Sequence, residues 1–137
     1  MAVEQANDLD LLRVDWLSAR VAAGQGRTEE AMAGLEQVRR DFTARELPYN
    51  AALSSLDLAV LFLEAGRTAE VRELAVAMRW IFKTPGFDRE ALAALALFRE
   101  AAQRETATVE LARRASAAIE KARRSAPRPD AGERGRA

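Results

Sequence analysis

Gly26-Arg27-Thr28-Glu29-Glu30-Ala31 and Gly66-Arg67-Thr68-Ala69-Glu70-Val71 repeat one pattern 40 residues apart, and Thr108-Val109-Glu110-Leu111 falls in the same frame. In the first two copies a glycine able to turn the chain is followed by a threonine and acidic residues suited to a helix start. Repetition at such a period is the mark of stacked supersecondary units. A helix pair with one apolar stripe cannot bury that stripe alone, so repeated pairs share a continuous core.

Outward from these turns, apolar residues recur at three- and four-residue intervals, the spacing of amphipathic helices. Gly24, Gly26, Pro48, Gly66, Pro85 and Gly86 punctuate the pattern. The spacing predicts helices over about 8–24, 29–45, 48–65, 69–83, 88–104 and 108–124, which make three antiparallel hairpins. Thr28, Thr68 and Thr108 are suited to cap the second helix of each pair, and Pro48 to the first turn of the third helix. Residues 1–124 form one helical repeat domain in this reading. The stretch 125–137 has no apolar face to bury and is expected to be a disordered basic tail.

The residues around both glycines resemble the tetratricopeptide repeat. In the second unit Leu58, Ala59, Phe62, Gly66 and Met78 match that family's pattern, and in the first Ala19, Ala22, Gly26, Ala31, Leu35 and Val38 do. Ala19 and Ala59 would let paired helices approach closely. Departures are equally specific: Asp15 and Ser55 stand at the usual tryptophan position, and the period exceeds the family's 34. The third unit lacks the turn glycine and has Arg99 where a small residue belongs. The resemblance implies an all-α fold, a short right-handed solenoid of stacked hairpins, with a concave groove that holds a partner polypeptide. Its longer period is similar to that of relatives found in bacterial regulators, and the chain reads as the C-terminal part of such a protein.

Composition narrows the chemistry. The 137 residues contain no histidine and no cysteine. That removes the commonest general base, thiolate nucleophiles, disulfides and the usual zinc ligands. Glu29 with Glu30, and Glu70 with Glu73, are acids in first helical turns, where they complement the helix dipole. The glycines are single and no lysine follows them, so there is no phosphate-binding loop. The expectation is a protein that is not an enzyme and needs no cofactor or metal. With no N-terminal apolar run, the cytoplasm is the expected compartment and no membrane association is expected.

Twenty-one basic residues balance 21 acidic ones. Only Lys83 and Lys121 are lysines; the arginines are scattered and often follow an acid by four residues, as in Glu36/Arg40, Glu100/Arg104, Glu110/Arg114 and Glu120/Arg124. Such pairs mark solvated helix faces. Nucleic-acid binding by Arg113, Arg114 and Lys121 to Arg124 is the weaker reading, since it wants basic residues gathered on one face.

Trp16 with Arg13 and Arg20 lies on one side of the first helix. In the tetratricopeptide frame that side is the groove, where the third helix places Leu53, Leu56, Val60 and Leu63. These seven are the candidate partner-binding residues, a surface for an apolar or amphipathic segment carrying an acid. The family's carboxylate clamp needs lysine and asparagine where Trp16, Arg20, Leu56 and Val60 stand, so that mode is not implied. Two alternatives stay open: the stripe is covered by another helix of the chain, or by a twin subunit in the homodimerisation domain of a transcriptional regulator. Trp80, Ile81, Phe82, Phe87 and Phe98 are expected to pack between the second and third units.

Overall fold

The computed structural model describes residues 2–125, with side chains from Asp8 onward. Six α-helices follow in order: α1 (Ala2–Gly24), α2 (Thr28–Ala44), α3 (Pro48–Glu64), α4 (Thr68–Ala77), α5 (Arg89–Gln103) and α6 (Val109–Ser125). The described residues are all-helical. The expected tail from residue 126 onward lies outside them.

The turns between helices share one construction. At the ends of α1, α2, α3 and α5 the amide of Arg27, Leu47, Arg67 and Thr106 reaches back five residues to a carbonyl, at 2.8–3.0 Å. The preceding residue adopts a left-handed backbone: Gly26 (φ 79°), Glu46 (φ 56°), Gly66 (φ 74°) and Glu105 (φ 56°). This closure satisfies carbonyls that the helix end would leave unpaired. The missing glycine of the third unit is thus replaced by Glu105, in a conformation that costs a side chain about 1–2 kcal/mol. Glu105 gains partial compensation, because its carboxylate accepts from Thr68 Oγ1 at 2.8 Å. No side-chain partner of Glu46 is recorded among the described residues.

Helix starts differ from the expected caps. Thr28 and Thr68 are already the first helical residues, and the residues before them, Arg27 and Arg67, offer no side-chain cap. Thr108 does cap: its oxygen accepts from the Leu111 amide at 3.2 Å. Asp88 caps α5 through the Ala91 amide at 2.9 Å. Pro48 sits in the first turn of α3 as its missing donor allows. The fourth helix is shorter than its apolar run. After Ala77 the chain tightens into a 3-10 turn over Arg79–Lys83 that buries Ile81 completely.

Packing follows chain order from α1 through α6, with two additions: α1 touches α3 over a short stretch, and α6 also lies along α3. Their antiparallel alignment is set by Arg123 near the start of α3, where it donates to Asn50 Oδ1 at 2.9 Å. The buried residues of α6 are Ala112, Ala115, Ile119 and Ala122, small enough to let its backbone come close to its neighbours. α3 has the opposite character. From Ala51 to Leu56 every residue is buried, and so are Leu58, Ala59 and Phe62. A helix apolar on several faces must be covered on several faces, and α2, α4, α6 and a short stretch of α1 do this.

The expected close approach of paired helices is found at Ala19, where a Cβ added to Gly34 of α2 would lie 3.1 Å from the alanine Cβ. Of the aromatic group, Ile81, Phe87 and Phe98 are buried while Trp80 and Phe82 are partly covered. Tyr49 of α3 stacks on Phe87 at 4.3 Å and accepts the Asp88 amide on its hydroxyl at 3.1 Å. Arg99 does not break the junction: it donates to the Ala75 carbonyl at 2.7 Å and lies 5.0 Å from the Phe82 ring centre. All four acid–arginine pairs named above close, at 2.6, 3.0, 3.5 and 3.9 Å.

Candidate functional site

Trp16 is nearly buried. It meets Phe42 of α2 edge-on at 5.3 Å, and its indole nitrogen donates to the Asp57 carboxylate of α3 at 2.9 Å. Asp57 also pairs with Arg20, at 3.4 Å. From the other side α6 brings Arg123, whose guanidinium lies 5.9 Å from the Trp16 ring centre, close to the 5.7 Å of Arg20. Arg123 in turn donates to Glu120 at 2.6 Å. A polar seam therefore joins α1, α3 and α6 around a cleft of about 190 Å³ lined by Trp16, Arg20, Leu53, Asp57, Ser116, Ala117 and Glu120.

Asp57 is the one group here with a distinctly altered acidity. Burial pushes its pKa up, Trp16 and Arg20 hold it down less strongly, and the nearby Glu120 charge adds to the rise. A carboxylate removed from water and faced by a second acid prefers its proton more than it would in solvent.

The candidate residues separate into three groups. Trp16, Arg20 and Leu53 come together in the seam. Leu53 and Leu56 are buried at 5% and 0% exposure, so they have no surface to offer a second chain while α6 is in place. Val60 and Leu63 are half-buried and packed against the core. Arg13 stands apart, exposed and paired with Asp10 at 3.6 Å. The chain's own last helix lies along α3 and lines a cleft with Leu53 of the groove drawn from the repeat frame.

Two features of the site escaped the residue pattern. Asp57 organises the seam, and its signal was present: it is the only charged residue between Pro48 and Leu63. The second is on the outside of α1, where Leu11, Val14, Leu17 and Val21 are 47–62% exposed. Their spacing places them on one stripe, opposite the buried Leu12, Trp16, Ala19 and Ala22. The apolar residues of α1 therefore form two faces, of which only one is used. Beside the stripe a shallow cleft of about 250 Å³ opens between α1 and α2, with Ala19, Ala22, Gly34 and Val38 below and Asp15 and Glu30 at its rim.

Of the acids in first helical turns, Glu29 pairs with Arg67 at 2.7 Å, Glu30 with Arg27, and Glu70 with Arg67 at 3.9 Å. Among the described residues no helix is long and apolar enough to cross a membrane. Compared with family models, with curated proteins and with solved structures, the chain matches none of them.

Proposed function

We propose that this chain is a non-catalytic protein-interaction module: a tetratricopeptide-like stack of helix hairpins that holds a segment of another polypeptide. The observation that carries the reading is the exposed aliphatic stripe of α1. Large apolar side chains scattered singly on a surface need no explanation, but four on one face of one helix form a patch of the kind that partners cover. Burying the exposed half of each contributes about 1 kcal/mol. Together that supports a weak, reversible contact, which flanking polar groups then strengthen.

The partner surface in this reading moves from the α3 groove to α1, with Arg13 and Arg20 at its edge. Trp16 serves the core beneath it. Affinity capture from native lysate tests the reading with wild type and a Val14→Asp, Leu17→Asp double variant. A protein retained by wild type and lost with the variant supports it. Identical captures from both, with helicity unchanged, would overturn it.

A further inference from the structure

We infer that the occupant of the α1 stripe is an amphipathic helix, laid alongside α1 as α2 lies alongside α3, with an aliphatic face and a basic residue at its edge. The inference rests on the interaction-module reading and names the partner's chemistry.

The internal repeat supplies the argument. A shift of 40 residues carries Ala19 onto Ala59 and Gly26 onto Gly66. It carries the buried Leu12, Trp16, Ala19 and Ala22 onto Ala52, Leu56, Ala59 and Phe62, all buried as well. The same shift carries the exposed Leu11 and Val14 onto Ala51 and Ser54, which are 1% and 0% exposed. α3 keeps these dry because helices stand before and after it, α2 and α4, with α6 along a third side, whereas α1 has only α2 packed along it and meets α6 through the seam at Trp16. The α6 side of α3 is marked by Asn50, Leu53 and Asp57, and the pairing of α1 with α2 shows which side α4 takes. Ala51 and Ser54 are left to the helices that precede α3: α2, which packs along it, and a short stretch of α1. Leu11 and Val14 stand on the same face of the same unit, with the position of the preceding helix open; Leu17 and Val21 extend the stripe at the places of Asp57, toward the α6 side, and the half-buried Leu61.

Charge selects the edge of the occupant. Asp15 borders the stripe, is exposed, and has no ion pair among the described residues; its counterpart on α3 is the uncharged, buried Ser55. A lysine or arginine on the incoming helix completes it. A second copy of α1 fits less well. In an antiparallel pair of α1 helices centred on the stripe, Arg13 and Arg20 share one flank and face each other across the axis, like charge against like.

The chain's own α2 sequence, residues 28–44, is the natural probe, since α2 packs along α3 as the preceding helix and carries Arg39 and Arg40. Fluorescein-labelled peptide 28–44 is titrated with the full chain and followed by anisotropy. The expected result is saturable binding, weakened at least tenfold by Val14→Asp and severalfold by Asp15→Lys, and unchanged by Leu97→Asp, an equally exposed leucine on α5. Circular dichroism verifies that each variant keeps its helicity. Absence of saturable binding, or equal loss in Leu97→Asp, overturns the inference. So does a wild-type dimer in sedimentation that Val14→Asp dissociates, because the occupant is then a second copy. If lysate capture finds a partner that depends on Val14 while the peptide does not bind, the module stands and the helical occupant falls.

Discussion

α1 and α3 hold the same place in two copies of one repeat, yet α3 is enclosed by four helices and α1 is bare along one side. Their sequences record the difference. α3 places small residues, Ala51, Ser54 and Ser55, where neighbours crowd in, and these serines donate to backbone carbonyls of their own helix at 2.7–3.2 Å. At the positions matching Ala51 and Ser54, α1 carries Leu11 and Val14 in the open. Burial is thus a property of a position's neighbours, and two helices in one frame can share a buried face while differing on the next.

The comparison breaks most easily at one buried and one exposed leucine of the two helices. Leu56→Ala on α3 is expected to cost about 2–5 kcal/mol, and Leu17→Ala on α1 to stay within about 0.5 kcal/mol. Urea unfolding of both variants measures this; similar losses would mean that α1 is covered in solution. Next in size, Ala59→Leu overpacks the α3 hairpin at a residue with no exposed surface, for a loss of about 1–3 kcal/mol. An unchanged melting temperature would show that the repeat frame does not describe the packing.

Glu46→Gly relieves a left-handed backbone without breaking a recorded side-chain contact and should stabilise by about 0.5–1 kcal/mol. Glu105→Gly should gain less, since it also removes the bond from Thr68. Equal gains would show that this bond adds nothing.

The subtlest test concerns Asp57. Its folded-state pKa is raised from 3.8, so between those values the native state holds more protons than the unfolded chain. Stability contributed by this group is therefore greatest at low pH and falls as pH rises through that window. Asp57→Asn keeps an acceptor for Trp16 and removes the titration. Unfolding free energies of wild type and variant between pH 4 and pH 7 should diverge as pH rises, with the variant gaining relative to wild type. A constant difference would show that Asp57 is not the group responsible.

The helices were legible in the sequence because their signals are local. Three- and four-residue spacing, Pro48 and the paired glycines marked the elements to within a few residues, except that α1 begins at Ala2 and not at about residue 8, and that α4 gave way to a 3-10 turn. Glu46 and Glu105 were harder to see, since a left-handed residue is recognised from sequence when it is glycine, and here hydrogen bonds across the turn hold glutamates in that state. Trp16, Arg20 and Leu53 line one cleft, but their surroundings were not readable, because α6 comes from 63 positions or more along the chain (Leu53 to Ser116) to line it with them.

The amino-acid sequence by itself determined an all-helical chain, its turns, and the absence of histidine and cysteine chemistry. Each follows from residue identity or from periodicity along a few turns. Only the tertiary structure decided which apolar face is core and which is surface. Periodicity reports that a face is apolar; what lies on it depends on where distant segments pack. Here α2, α4 and α6 enclosed α3, and the outer stripe of α1 was left open.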